Sequence, residues 1–402
     1  MSQVSIFLKD LFRFMQAYFI YLLPSVFIIY LVLESYQIDF RPYYIAGKSV
    51  LYGLDPYINH VTKHPEFFVP VNAGEAPLSG FIYLPIAALF FTPLALFSYS
   101  TAKIIYSSFI LILLWLLLFE LVRQSNFKIK GEALLFVMTS FPVLAAFERG
   151  QIDILVCYLT ILGFFLYQQY RQKVLAGALF GLAFCIKLFP AIAILYFIAK
   201  RQVRVVFYSF ASIVVLLLAP LPILGNSIYT SYLKRMLPGV FGGITSEVPI
   251  TVHGQAVTNR VVMSVDSTGL RVTHDFVHGF MNPFLRGKPI ASLTVGFIAF
   301  LILMYYLRRE SAEHQFFSIV NCIHLFNPQT WIMGIVWFIP LFVYLFGKAN
   351  HLGKFILILP LFMPPFLNSS GMLAYTVALL FAIPQTQRKL LAKDDNPQLN
   401  QA

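Results

Sequence analysis

Apolar runs follow one another down this chain, most of them close to the length that spans a bilayer. They lie at about 15–33, 81–97, 104–121, 132–147, 152–167, 174–199, 205–224, 289–307, 316–326, 331–346, 355–367 and 371–383. A hydrocarbon core of about 30 Å takes roughly 20 apolar residues as a helix. Lipid offers the backbone no hydrogen-bond partners, so such runs fold as helices. Only 11% of the 402 residues are charged, against roughly a quarter in soluble domains. The expectation is an all-α polytopic membrane protein with roughly 11–13 spans, built as one integral membrane domain over residues 1–402.

Charge then orients the chain. The formal net charge of +12 is no sign of nucleic-acid binding, because the basic residues lie mostly in short connections between apolar runs. Lys9 and Arg13 precede the first run, which is too long for a signal-peptide core and lacks a small-residue cleavage site. It reads as an uncleaved first span with a cytoplasmic N-terminus. Arg123, Lys128 and Lys130, then Arg171 and Lys173, then Lys200, Arg201 and Arg204 also fall inside. Two polar loops, about 35–80 and 225–288, fall on the outer face, as does the segment Glu148 to Asp153. For that path to hold, 81–97, with Pro85 and Pro93, must be short or re-entrant. Lys187-Leu188-Phe189-Pro190 breaks the run 174–199. Tyr43 to Leu51 has a helical pattern that suits the membrane surface. Cys157, Cys185 and Cys322 sit inside apolar runs without metal spacing, as small core residues do.

The candidates for chemistry cluster at the outer face. Acidic groups at membrane depth are costly and are usually paired or functional; Asp39, Glu148 and Asp153 fit that description best. A carboxylate there can act as a base toward an attacking hydroxyl, and Asp39 is placed for it. Arg41, Lys187 and Arg260 are cations suited to a phosphate, Arg in a two-pronged fashion and Lys as a point charge. Gln151, Gln255 and Asn259 offer amides to sugar hydroxyls, and Tyr43, Tyr44 and Tyr83 offer rings to a sugar face. Arg149 has an adjacent partner in Glu148, and Lys187 has the alternative of snorkelling from a helix end. His253, His274 and His278 lack tight metal spacing. No P-loop, dinucleotide glycine fingerprint or G-x-S-x-G motif occurs, so no soluble nucleotide-sugar donor is signalled.

Several motifs resemble the GT-C glycosyltransferases of family GT87, which use polyprenyl-phosphate sugars such as the mannose donor. Asp39 followed by Tyr43-Tyr44-x-Ala46 and then Tyr52-Gly53-Leu54-Asp55-Pro56-Tyr57 resembles their opening loop. Tyr83-x-Pro85 is similar to the start of their next segment. Gly150-Gln151-Ile152-Asp153 stands where relatives have Gly-Gln-Val-Asn. The most specific match is Ala176-Gly177-Ala178-Leu179-Phe180-Gly181-Leu182-Ala183 running to Lys187-Leu188-Phe189-Pro190. His253 to Arg260 is similar to a segment that supplies an amide and an arginine in relatives. The C-terminal third departs from the pattern: Asn327-Pro328-Gln329-Thr330-Trp331 stands where relatives have Ser-Pro-x-Ser-Trp followed by paired histidines. The resemblance implies an inverting glycosyl transfer on a GT-C fold, with Asp39 as general base. Donor phosphate would meet Arg41, Lys187 and Arg260. Sugar or acceptor would meet Tyr43, Tyr44, Tyr83, Gln151, Asp153, His253, Gln255 and Asn259. The implied partners are a polyprenyl-phosphate sugar donor, a glycolipid or glycan acceptor and membrane lipids, with neither metal nor cofactor and no nucleic acid. A bacterial plasma membrane is the expected location. The competing class is a transporter or lipid flippase with an outer-face polar cavity. A carrier needs polar groups deep in several spans, whereas these cluster near one face.

Overall fold

The computed structural model describes residues 3–61, 63–67, 69, 79–125, 129, 131–236, 244–252, 255–262, 289–322, 332–363 and 370–391. In chain order its first helices are α1 (Gln3–Tyr18), α2 (Pro24–Glu34), α3 (Phe40–Leu51), α4 (Pro85–Phe91), α5 (Tyr99–Gln124), α6 (Gly131–Met138), α7 (Phe141–Arg149), α8 (Asp153–Gln168), α9 (Lys173–Ile186), α10 (Ala191–Ala199) and α11 (Val203–Leu218). Two short helices, α12 (Leu221–Leu224) and α13 (Ser227–Ser231), lead into the second loop. There β1 (Ile244–Val252) pairs antiparallel with β2 (Gln255–Val262), with Val252 opposite Gln255 and Glu247 opposite Arg260. The C-terminal part adds α14 (Pro289–Tyr306), α15 (Ala312–Val320), a 3-10 helix at Ile332–Phe338, α16 (Ile339–Phe346), α17 (His351–Phe362), α18 (Ser370–Ala382) and α19 (Pro384–Leu390). The membrane part is thus helical, and the one described hairpin belongs to the second loop.

Prolines and turns cut the apolar runs into shorter rods than their lengths suggest. Among the described residues two helices are long and apolar enough to cross a membrane: the 26-residue Tyr99–Gln124 and the 22-residue Val203–Leu224. That number rises to four if each bent pair forms one span: Ser5–Tyr21 with Pro24–Glu34, bent by 74°, and Gly131–Met138 with Phe141–Arg149, bent by 44°. The run 15–33, expected as one first span, is therefore a bent pair. Pro24 takes the first helical position of α2 and has no N–H to continue the preceding turn. Six further apolar helices, among them Asp153–Gln168, Lys173–Ile186 and His351–Phe362, have 10–17 residues and reach only ~15–26 Å each. Pro85–Leu96 is one of them, which agrees with a short or re-entrant 81–97. α5 starts cleanly because the Ser98 hydroxyl accepts the Thr101 N–H. The Lys187–Pro190 break separates α9 from α10.

The helix α3 exists as the pattern of Tyr43 to Leu51 implies, but it is packed into the protein rather than laid on a surface. Phe40, Tyr43, Tyr44, Ile45, Ala46, Gly47 and Ser49 are all buried. The three cysteines are free and buried, as core residues.

Helices α9 and α11 approach closely through two glycines one turn apart. A Cβ on Gly177 would lie 2.6 Å from the Tyr208 Cβ and 2.8 Å from the Val205 carbonyl oxygen; one on Gly181 would lie 2.6 Å from the Ser212 Cβ. Small residues at this spacing let two backbones meet in an environment where no hydrophobic effect drives association. The Ser212 hydroxyl donates across the contact to the Ala178 carbonyl at 3.1 Å. Gly181→Leu is expected to push the helices apart and lower stability by about 1–3 kcal/mol, read as the thermal midpoint in detergent. An unchanged midpoint would show that the contact carries no weight.

Candidate functional site

The site begins where α2 ends. Gln37 turns the chain with φ of 55° and is buried, its Nε2 donating to the Ser107 Oγ at 2.7 Å and to the Phe147 carbonyl at 2.8 Å. The Tyr99 hydroxyl donates to the Tyr36 carbonyl at 2.6 Å. This turn is thereby fastened to α5 and α7. Asp39 follows as the N-cap residue of α3, yet its carboxylate makes no capping bond and points elsewhere.

That carboxylate meets the C-terminal end of α7. The Arg149 Nε donates to the Asp39 Oδ2 at 2.5 Å and its Nη2 to the Oδ1 at 3.0 Å, a two-pronged pair. Gln151 adds an Nε2–H bond to Oδ2 at 2.9 Å, and the Asp39 N–H donates to the Arg149 carbonyl at 2.9 Å. Gly150 makes this approach possible. It closes α7 at φ of 72°, and a Cβ there would stand 2.6 Å from the Phe40 Cβ, so both the left-handed backbone and the close contact call for glycine.

A second ion pair lies behind the first. Lys187, at the break between α9 and α10, donates to both oxygens of Asp153 at 2.9 and 2.7 Å. The indole N–H of Trp337 donates to Asp153 Oδ1 at 3.2 Å. The Asp153 side chain is only 4% exposed and that of Lys187 17%, against 22% for Asp39 and 29% for Arg149. The first pair is therefore partly exposed and the second nearly enclosed. Between them the hydroxyls of Tyr43 and Tyr83 share a hydrogen bond at 2.7 Å, and Tyr83 lies within the fields of Lys187, Asp153 and Asp39. The charge of Lys187 also acts on Asp39. Two buried polar atoms beside these groups, Gln151 Oε1 and the Tyr106 hydroxyl, have no partner among the described residues. Buried polar atoms ordinarily find one, so hydrogen-bonding capacity is left unused at this spot.

The first loop braces this cluster. Asp55 takes the Tyr57 N–H at 2.9 Å and the Ser231 hydroxyl at 2.5 Å. Tyr57 in turn donates its hydroxyl to the Tyr83 carbonyl at 2.7 Å. The Asp55-Pro56-Tyr57 motif thus ties both loops to the residue that sits between the ion pairs.

The structure brings Asp39, Tyr43, Tyr83, Gln151, Asp153 and Lys187 together. Arg41 is on α3, its charge acting on Asp39 and its Nη2 packed by Gly80. Tyr44 is directed away, donating to the Phe97 carbonyl at 2.9 Å and packing edge-on against Tyr99. Gln255, Asn259 and Arg260 belong to β2; their side chains, like His253 and the segment Asn327 to Trp331, lie outside the described residues. One pairing needs correction. Arg149, set beside Glu148 by adjacency, pairs instead with Asp39, because successive helical positions face different ways and Glu148 is exposed. Trp337 was not foreseen; its burial at 1%, with an indole N–H that needs an acceptor, comes from tertiary packing.

A family model described as glycosyltransferase family 87 matches residues 81–328, more than half of the chain. The chain belongs to glycosyltransferase family 87. It is a multi-pass membrane glycosyltransferase of the GT-C type, which favours the enzyme over the carrier reading. No curated protein matches it. The segment matched to family 87 holds Tyr83, Arg149, Gln151, Asp153 and Lys187. Asp39 and Trp337 come from outside it and reach the site through their hydrogen bonds to Arg149, Gln151 and Asp153.

Proposed function

We propose that this family 87 enzyme moves a hexose, mannose by preference, from a polyprenyl phosphate to a hydroxyl of a glycolipid or glycan at the outer face of a bacterial plasma membrane, with inversion at C1. Asp39 is the general base. The acceptor oxygen forms a bond to C1 and its proton passes to the Asp39 carboxylate. The bond from C1 to the phosphate oxygen breaks, both electrons leaving with the lipid phosphate. The observation that carries this reading is the partly exposed carboxylate of Asp39, 2.9 Å from the Gln151 amide and close to the hydrogen-bonded Tyr43–Tyr83 pair. A base at such a rim can meet a hydroxyl from the aqueous side. Gln151 Oε1 and the Tyr106 hydroxyl are suited to sugar hydroxyls. Arg41 supplies positive potential on one side and the Lys187–Asp153 pair a fixed dipole on the other, as a departing phosphate needs. Arg260, His253, Gln255 and Asn259 would close over the substrates from the second loop, with Tyr44 as support for α3 rather than a contact. The 1–402 chain acts as one membrane domain.

The test incubates purified protein with a panel of polyprenyl-phosphate sugars and a mixed glycolipid acceptor, and measures release of the lipid phosphate. Release from one hexose donor together with a new glycoside of inverted configuration is the expected result. Flux of the lipid across liposomes without any covalent product would overturn it.

A further inference from the structure

Both oxygens of the proposed base accept hydrogen bonds in this conformation, Oδ2 two of them. Arg149 grips Asp39 through two nitrogens at 2.5 and 3.0 Å, and Gln151 holds the same Oδ2. A guanidinium that grips both oxygens stands where an acceptor hydroxyl has to approach the carboxylate. Something has to loosen the pair before Asp39 can serve. The guanidinium fork fits a phosphate as well as it fits a carboxylate. Lys187 is badly placed to make that exchange, since its partner Asp153 is nearly closed off and also takes the Trp337 N–H. The Arg149–Asp39 pair is the more open of the two, and Arg41 stays close enough for its charge to act on Asp39.

Resting on the glycosyl-transfer reading above, we propose that Arg149 is a ligand of the donor's phosphate, exchanged from Asp39 when the lipid donor binds. Donor arrival then does two things at once. It seats the leaving group on a guanidinium, and it releases the carboxylate that must take the acceptor's proton. Exchange of one anionic partner for another leaves the charge on Arg149 compensated throughout. The device orders the reaction: donor first, acceptor activated second.

The test uses farnesyl phosphate as the probe and calorimetric affinity in detergent as the readout, with wild type, D39N, R149Q and the D39N/R149Q double variant. Asp39 competes with the phosphate for Arg149, so D39N should bind about tenfold more tightly than wild type, the scale of one charge-assisted hydrogen bond. The gain should vanish in the double variant. That variant strands no charge and remains informative if R149Q alone folds poorly. Equal affinity in wild type and D39N, or a gain that survives loss of Arg149, overturns the exchange and leaves Arg149 as a residue that merely orients Asp39. Absence of binding in every variant overturns the lipid-phosphate reading itself.

Discussion

Asp39→Asn is expected to lower the rate of transfer by about 10²–10⁴-fold, the usual share of a general base, without unfolding the protein. The substitution keeps the size of the side chain and an oxygen that can accept from Arg149, and removes the capacity to take a proton. The turn that carries the residue is held independently, by Gln37 on Ser107 and Phe147 and by Tyr99 on Tyr36. The thermal midpoint in detergent should therefore stay near that of wild type while single-turnover transfer collapses. Wild-type rates in this variant, with a productive donor supplied, would remove Asp39 from the mechanism and with it the proposed site.

The largest effect on stability is expected at Lys187. Asp153 is 4% exposed in its side chain and its charge is compensated by Lys187 at 2.7 Å. Lys187→Met takes away the cation and leaves the carboxylate enclosed, a change that costs about 3–5 kcal/mol in comparable buried pairs. Replacing both residues, Asp153→Asn with Lys187→Met, strands no charge. The Asn oxygen can still accept the Trp337 N–H, so the double variant should recover most of the loss. Comparing the thermal midpoints of the single and double variants checks this. A single variant as stable as wild type, or a double variant no better than the single, would mean that the pair does not hold α8 against the α9–α10 break.

Much of the architecture was legible because bilayer physics acts on single segments. An apolar run needs no partner to be read as a helix, and the breaks at Lys187–Pro190 and around 81–97 follow from prolines within the runs. The bend between α1 and α2 was missed because the run 15–33 was judged on hydropathy, which does not register that Pro24 lacks an N–H. The close contact of α9 with α11 passes through Gly177 and Gly181, four residues apart; that spacing has a packing meaning, but which helix it meets is decided by the tertiary structure. Pairings were the weak point. Arg149 has an acidic neighbour in Glu148, but adjacency on a helix is not contact, and its real partner lies 110 positions away.

From the amino acids alone came the membrane-embedded helical class and the family, and with them the proposal of Asp39 as base, since each rests on local composition, spacing or a contiguous motif. Only the tertiary structure decided which charge meets which: Asp39 with Arg149, Asp153 with Lys187 and Trp337, and the Tyr43–Tyr83 contact between them. Ion pairs at short range depend on ångström-scale placement of segments far apart in the chain, and no one-dimensional pattern encodes that distance.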